Sequence, residues 1–139
     1  MDPVSVAASV IGIVQLTATI VKICGVYASK VKDAKQDILR LGEEVDAFRK
    51  TLTTLHDFMS EADGAEFIVH DDLLANIARC FTMLSEFEKK IDLKTTQSAI
   101  RRKLQLLKWP LKHEDLDRAI EQIERYKAMF SLSLLIDQM

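Results

Sequence analysis

Residues 38–59 read ILRLGEEVDAFRKTLTTLHDFM and contain the most regular hydrophobic pattern in the chain. Their apolar residues recur at alternating spacings of three and four, the spacing of a heptad seam that packs against other helices. The seam consists of Ile38, Leu41, Val45, Phe48, Leu52, Leu55 and Met59. This pattern predicts one long helix over about 31–61, which Gly42 weakens slightly and Asp63-Gly64 ends.

The segment before this helix carries no charge from Pro3 to Val21, where it reads PVSVAASVIGIVQLTATIV. Asp2 and Pro3 suit a helix start, and an apolar run of this length is too long for an ordinary strand. We therefore predict a first helix over residues 3–28. Its polar stripe consists of Ser5, Ser9, Gly12, Gln15, Thr19 and Lys22, and the remaining face is Val, Ile, Leu and Ala.

This uncharged segment is predicted to be neither a secretory signal nor a constitutive membrane span. Asp2 precedes it, where a signal peptide needs basic residues, and Lys22 follows it, where a signal peptide has small residues. Five of its nineteen residues are Ser, Thr or Gln. A helix of that length also reaches only about 28 Å, which is short for a bilayer core.

Apolar periodicity predicts three further helices. The third begins near Asp71 or Asp72, and its inner face is Leu74, Ile77, Phe81, Leu84 and Ile91, with Leu73, Cys80 and Phe87 beside it. A short fourth helix covers about 98–108, with Ile100, Leu104 and Leu107 inward, before Pro110 stops or kinks it. The fifth resumes near Lys112, and its inner stripe is Leu116, Ile120, Ile123, Tyr126, Phe130 and Leu134.

The predicted fold class is therefore all-α, a helical bundle of four long helices plus one short helix. We expect residues 1–139 to form a single domain, excised from a longer multidomain protein. Trp109 and Pro110 are predicted to form the corner before the last helix, with the ring of Trp109 buried and Pro110 fixing the turn.

Composition and motifs exclude several functions. The net charge of −2 argues against general nucleic-acid binding. Cys24 and Cys80 are too few for a disulfide framework and lie in apolar stretches, which indicates buried thiols in a reducing, cytoplasmic compartment. The sequence has no Gly-rich phosphate loop and no zinc-ligand spacing, and its three histidines are scattered, as on a surface. We therefore expect no catalytic residues, cofactor or metal.

Charge is unevenly distributed in the second half of the chain. Six bases and no acid lie between Asp92 and Glu114, namely Lys94, Arg101, Arg102, Lys103, Lys108 and Lys112. These bases either form an ordinary solvated face or bind anionic lipid headgroups, since each base near such a surface contributes roughly 1 kcal/mol. The candidate lipid contacts are Arg101, Arg102, Lys103 and Lys108.

Two stretches resemble a known family. The opening MDPVSVAASVIGIVQLTATIVK and the closing LKWPLKHEDLDRAIEQIERYKAMFSLSLLID are similar to HeLo-like domains, which precede nucleotide-binding modules in fungal STAND, or NLR-like, proteins. HeLo-like domains are in turn similar to the four-helix bundles of necroptotic pseudokinases and plant resistance proteins. The resemblance implies programmed cell death in fungal innate immunity and heterokaryon incompatibility, executed by oligomerisation and by membrane targeting or permeabilisation.

The same resemblance implies partners and a site. The partners would be anionic membrane lipids, further copies of the chain, and nucleotide-binding or repeat modules downstream in the same protein. The domain would be cytoplasmic at rest and move to the plasma membrane on activation. The membrane-inserting residues of the first helix would be Val6, Val10, Ile11, Ile13, Val14, Leu16, Ile20 and Val21.

Two other interpretations of the first helix stay open. A helix that is apolar nearly all round is often the buried central helix of a bundle. The second interpretation is that the domain is a helical adaptor, which docks death-signalling partners and never enters lipid.

Overall fold

The structure, a computed structural model, describes residues 3–31, 35–61, 71–92 and 109–138. Four helices account for nearly all of these residues: α1 (Pro3–Lys30), α2 (Lys35–Glu61), α3 (Asp71–Ile91) and α4 (His113–Gln138). No strand occurs within the described ranges, so the all-α bundle is confirmed. The predicted short helix at 98–108 lies outside the described residues.

The helical seams explain why the chain folds into a bundle. All seven predicted seam residues of α2 are buried, and in α4 Leu116, Ile120, Ile123, Phe130 and Leu134 are buried. The boundary between α1 and α2 differs from the predicted one, because α2 begins at Lys35. Val31 directly follows α1, and its amide donates a 2.9 Å hydrogen bond to the carbonyl of Tyr27 in that helix.

The inner face of α3 is turned relative to the predicted face. Phe81 was predicted to point inward but is 47% exposed, and Leu74 is only half-buried. The buried residues alternate at spacings of four and three, which makes a narrow seam that fits between neighbouring helices. They are Leu73, Ile77, Cys80, Leu84, Phe87 and Ile91.

The helices lie around the bundle in the order α3, α1, α2, α4. The most extensive packing joins α1 to α2, followed by α2 to α4 and α1 to α3, whereas α3 and α4 touch only slightly. Within the second of these pairs, the fully buried rings of Phe48 and Phe130 stack with centroids 6.0 Å apart. Helices α1 and α2 therefore form the central pair of the bundle, with α3 packed on α1 and α4 packed on α2.

Gly42 lies where α2 packs against α1. A Cβ atom at Gly42 would lie 3.6 Å from the Cβ of Cys24, which is an ordinary van der Waals contact. The interface therefore has room for one methyl group, while glycine itself destabilises a helix interior by roughly 0.5–1 kcal/mol relative to alanine.

We predict that Gly42→Ala raises the free energy of unfolding by about 0.5–1 kcal/mol, as measured by urea denaturation. Gly25→Ala is the matched control, because Gly25 is exposed on α1 and a Cβ atom there would have no neighbour within 4 Å among the described residues. A loss of stability in Gly42→Ala together with a gain in Gly25→Ala would show that the α1–α2 interface cannot accept the methyl group.

Candidate functional site

Helix α1 turns one face to the bundle and another to solvent. Of the apolar residues predicted to insert into a membrane, Val10, Ile13 and Ile20 are buried, and Val14, Leu16 and Val21 are half-buried. Ile11 differs from them because it is 36% exposed. The side chain of Val6 lies outside the described part of the structure. Six of the seven described candidates are thus buried or half-buried in this conformation.

The predicted polar stripe of α1 faces outward. Ser9, Gln15, Thr19 and Lys22 are exposed and Gly12 is half-buried, while the side chain of Ser5 is not among those described. Between Pro3 and Ser29 the only charged residue is Lys22. The outer surface of the helix is therefore small and polar but almost uncharged.

One polar residue of α1 is inside the bundle. Thr17 is fully buried, and its hydroxyl donates a 2.7 Å hydrogen bond to the carbonyl of Val14 in the preceding turn. Because this local bond satisfies the hydroxyl donor, Thr17 can occupy an apolar face. The hydrophobic pattern does not reveal whether a threonine makes such a bond.

The stretch from Ala8 to Ser29 is long and apolar enough to cross a membrane. Of the 18 consecutive residues that make up its most apolar part, only 33% are buried in the bundle. By length and composition alone, core helices of soluble proteins also meet this criterion. The stretch is thus compatible with both a core helix and a lipid-embedded helix.

An apolar groove of about 370 Å³ lies between α1 and α3. It is lined by Ala8, Ser9, Gly12, Leu74, Ile77, Ala78 and Phe81. A Cβ atom at Gly12 would lie 3.9 Å from Cε2 of Phe81, so the small residues of α1 make space beside this ring. The groove was not predicted from the sequence, because it depends on how α3 is rotated against α1.

Tyr27 joins three parts of the chain at the end of α1. It is fully buried, and its hydroxyl donates a 3.2 Å hydrogen bond to the carbonyl of Ile91 at the end of α3. Its ring also meets the ring of Trp109 edge to face, with centroids 4.9 Å apart. Trp109, predicted to be buried, is only half-buried, and Pro110 is exposed. The predicted corner thus packs on α1, whereas Arg101, Arg102, Lys103 and Lys108 lie outside the described residues.

Both cysteines are buried free thiols in the structure. Burial raises the pKa of Cys24 and of Cys80 to about 12, so both are protonated at neutral pH and unreactive as nucleophiles. In the described part of the chain, no group of three His, Cys, Asp or Glu side chains is arranged to hold a metal ion.

The fold defines a helical-bundle domain. Residues 1–138 match the family described as pigment biosynthesis cluster protein PigL N-terminal, and the chain belongs to this family. No curated protein and no solved structure matches the chain.

We predict that Tyr27→Phe lowers the free energy of unfolding by about 1 kcal/mol or more, because the buried carbonyl of Ile91 loses a hydrogen bond. Chemical denaturation measures the change. Tyr126→Phe is the control, since Tyr126 is half-buried and its hydroxyl forms no hydrogen bond to the described residues. Equal effects of the two substitutions would contradict a role for the Tyr27 hydroxyl.

We also predict that Trp109→Ala lowers the free energy of unfolding by about 2–3 kcal/mol. This loss is smaller than the roughly 3–5 kcal/mol typical of a fully buried Trp, because the ring is only half-buried. Leu132→Ala is the control, since Leu132 is 57% exposed and should change stability by less than about 0.5 kcal/mol. If Trp109→Ala has the same melting temperature as the wild type, the edge-to-face contact does not stabilise the corner.

Proposed function

We propose that this domain executes regulated cell death by oligomerising and by carrying α1 into a membrane. The observation that supports this proposal is the combination found in α1: a stretch apolar enough to span a bilayer, whose outward face has a single charge. In this proposal the domain is HeLo-like and cytoplasmic at rest, and it acts at the plasma membrane when activated.

The energetics of α1 fit a helix that exchanges one apolar environment for another. Each large side chain of α1 that leaves the bundle for water loses about 1.5–3 kcal/mol of hydrophobic stabilisation. Lipid returns most of this free energy, because hydrocarbon tails surround the same side chains. An isolated release of α1 is therefore unfavourable in water and costs much less beside a bilayer.

The outer face of α1 adds little to the cost of insertion. Ala8, Ala18 and Gly25 have no polar side-chain atoms, and the hydroxyl of Thr19 donates a 3.0 Å bond to the carbonyl of Gln15 within the helix. Lys22 lies seven residues, or roughly 10 Å of helix, before Ser29, so its cost in lipid is reduced only if its long side chain extends toward the headgroups. Helix α1 thus has no charge at the centre of the stretch.

The family description supports the modular part of the proposal. It names the N-terminal part of a pigment biosynthesis cluster protein, which agrees with a domain that precedes other modules in its chain. We propose that such modules control when α1 is released.

A docking adaptor is the second candidate function, and the groove between α1 and α3 favours it. Phe81 is large, apolar and 47% exposed at the edge of this groove, and such a ring often anchors a protein partner. In this alternative α1 remains in the bundle, and no lipid is required.

We predict that Ala18→Asp abolishes permeabilisation of vesicles that contain anionic lipid. Ala18 is exposed in the bundle and lies in the middle of the stretch Ala8–Ser29, so the fold should accept the carboxylate. At a bilayer centre, however, a charged side chain costs about 2.5–3.5 kcal/mol, or roughly a hundredfold in insertion. Dye release from vesicles measures the effect, and circular dichroism checks that the protein is folded.

Ala128→Asp is the matched control, because Ala128 is exposed on α4, outside the candidate stretch. It should release dye like the wild type. Vesicles that lack anionic lipid test whether headgroup charge is needed. Two results together would overturn the membrane function and leave the adaptor function. The wild-type protein would leave anionic vesicles intact, and deletion of residues 1–23 would leave cell killing unchanged.

A further inference from the structure

Four charged side chains alternate along the contact between the first turns of α2 and α4. Nδ1 of His113 lies 3.0 Å from Oδ2 of Asp37, and Nε2 of the same ring lies 3.2 Å from Oδ2 of Asp117. Nη1 of Arg40 donates a 2.8 Å hydrogen bond to the other oxygen of Asp117. The order is therefore Asp37, His113, Asp117, Arg40, with two residues from each helix.

This geometry selects one protonation state of His113. A carboxylate only accepts hydrogen bonds, so a ring nitrogen facing one must have a proton. A neutral imidazole has one N–H, and its second nitrogen would direct a lone pair at the other carboxylate. The imidazolium has two N–H groups and faces both carboxylates favourably. With that proton the four charges sum to zero and alternate in sign, and without it the cluster has one excess negative charge.

We propose that His113 is a proton-controlled clasp that holds the start of α4 against the start of α2. The clasp consists of Asp37, Arg40, His113 and Asp117, and it is independent of any action of α1 on membranes. The hydrogen bond to Asp37 and the negative charge of Asp117 raise the pKa of His113 above its ordinary value, and partial desolvation and the positive charge of Arg40 oppose them less strongly. The proposal rests on the distances, and the pKa direction agrees with it.

The sign of the pH dependence follows from the raised pKa. The folded protein binds the proton more tightly than the unfolded chain, in which histidine has a pKa of about 6.5. The clasp therefore stabilises the fold fully below that pH, and its contribution is lost as the pH rises through the higher pKa of the folded state. Because the side chains of His113 and Asp117 are 62% and 47% exposed, added salt should weaken the clasp.

The test is a titration of the His113 ring by NMR at low ionic strength. The wild-type pKa should lie above the ordinary value, and it should fall in Asp37→Asn and in Asp117→Asn, which each remove one carboxylate from the ring. Glu124→Gln is the matched control, since it removes one negative charge from an exposed position of α4 outside the clasp and should leave the titration unchanged. An ordinary pKa in the wild type, or equal titrations in Asp37→Asn and the wild type, would overturn the proposal.

A second measurement tests whether the proton holds the helices together. The melting temperature of the wild type should exceed that of His113→Gln at about pH 5.5, and the two values should converge by about pH 9. Two further results are expected at about pH 5.5: a smaller difference in high salt, and the same difference when both proteins contain Glu124→Gln. A difference between wild type and His113→Gln that is constant across this pH range would show that the ring acts only by packing, and it would overturn the clasp.

Discussion

The packing of α1 against α2 is the contact on which the rest of the bundle depends. Because α3 and α4 touch only slightly, they are held in one domain by separate partners, α3 by α1 and α4 by α2. The close approach at Gly42 and the buried ring of Tyr27 both belong to α1 or its contact with α2. A change that separates α1 from α2 therefore disconnects the two outer helices as well.

This arrangement creates a conflict within α1. The helix supplies buried residues to the core, including Val10, Ile13 and Ile20, yet its outward face lacks the charges that usually solvate a surface helix. A helix needed only for the core would be expected to have such charges. The scarcity of charge on the outer face, where Lys22 is the only charged residue between Pro3 and Ser29, is thus the feature of α1 that the resting fold leaves unexplained and that the proposed lipid environment would explain.

How well the sequence predicts a feature of this structure depends on whether helix periodicity or a specific contact determines that feature. The seams of α2 and α4 follow from helix geometry, and an alternation of three and four is visible in the sequence itself. The burial of Thr17 depends on a local hydroxyl bond, and the exposure of Phe81 depends on the rotation of α3 against α1. Neither of these is encoded in a periodic pattern.

The sequence also does not predict polar contacts between residues that are far apart in the chain. Tyr27 and the Ile91 carbonyl are 64 residues apart, and His113 lies 76 residues from Asp37. The sequence predicts His113 only as a surface histidine, because its partners are defined by the placement of two helix starts side by side. Apolar spacing thus predicts the elements and most of the core, whereas the groove and the clasp require the tertiary structure.

The burial of Cys24 gives α1 a natural chemical label. Its thiol faces α2 near Gly42, and at a pKa of about 12 almost none of it is thiolate at neutral pH. If α1 left the bundle for water, an ordinary thiol pKa would increase the thiolate fraction by roughly a thousandfold, and the shielding by α2 would also end. The alkylation rate of Cys24 therefore measures how often α1 leaves the bundle, and the measurement needs no attached probe.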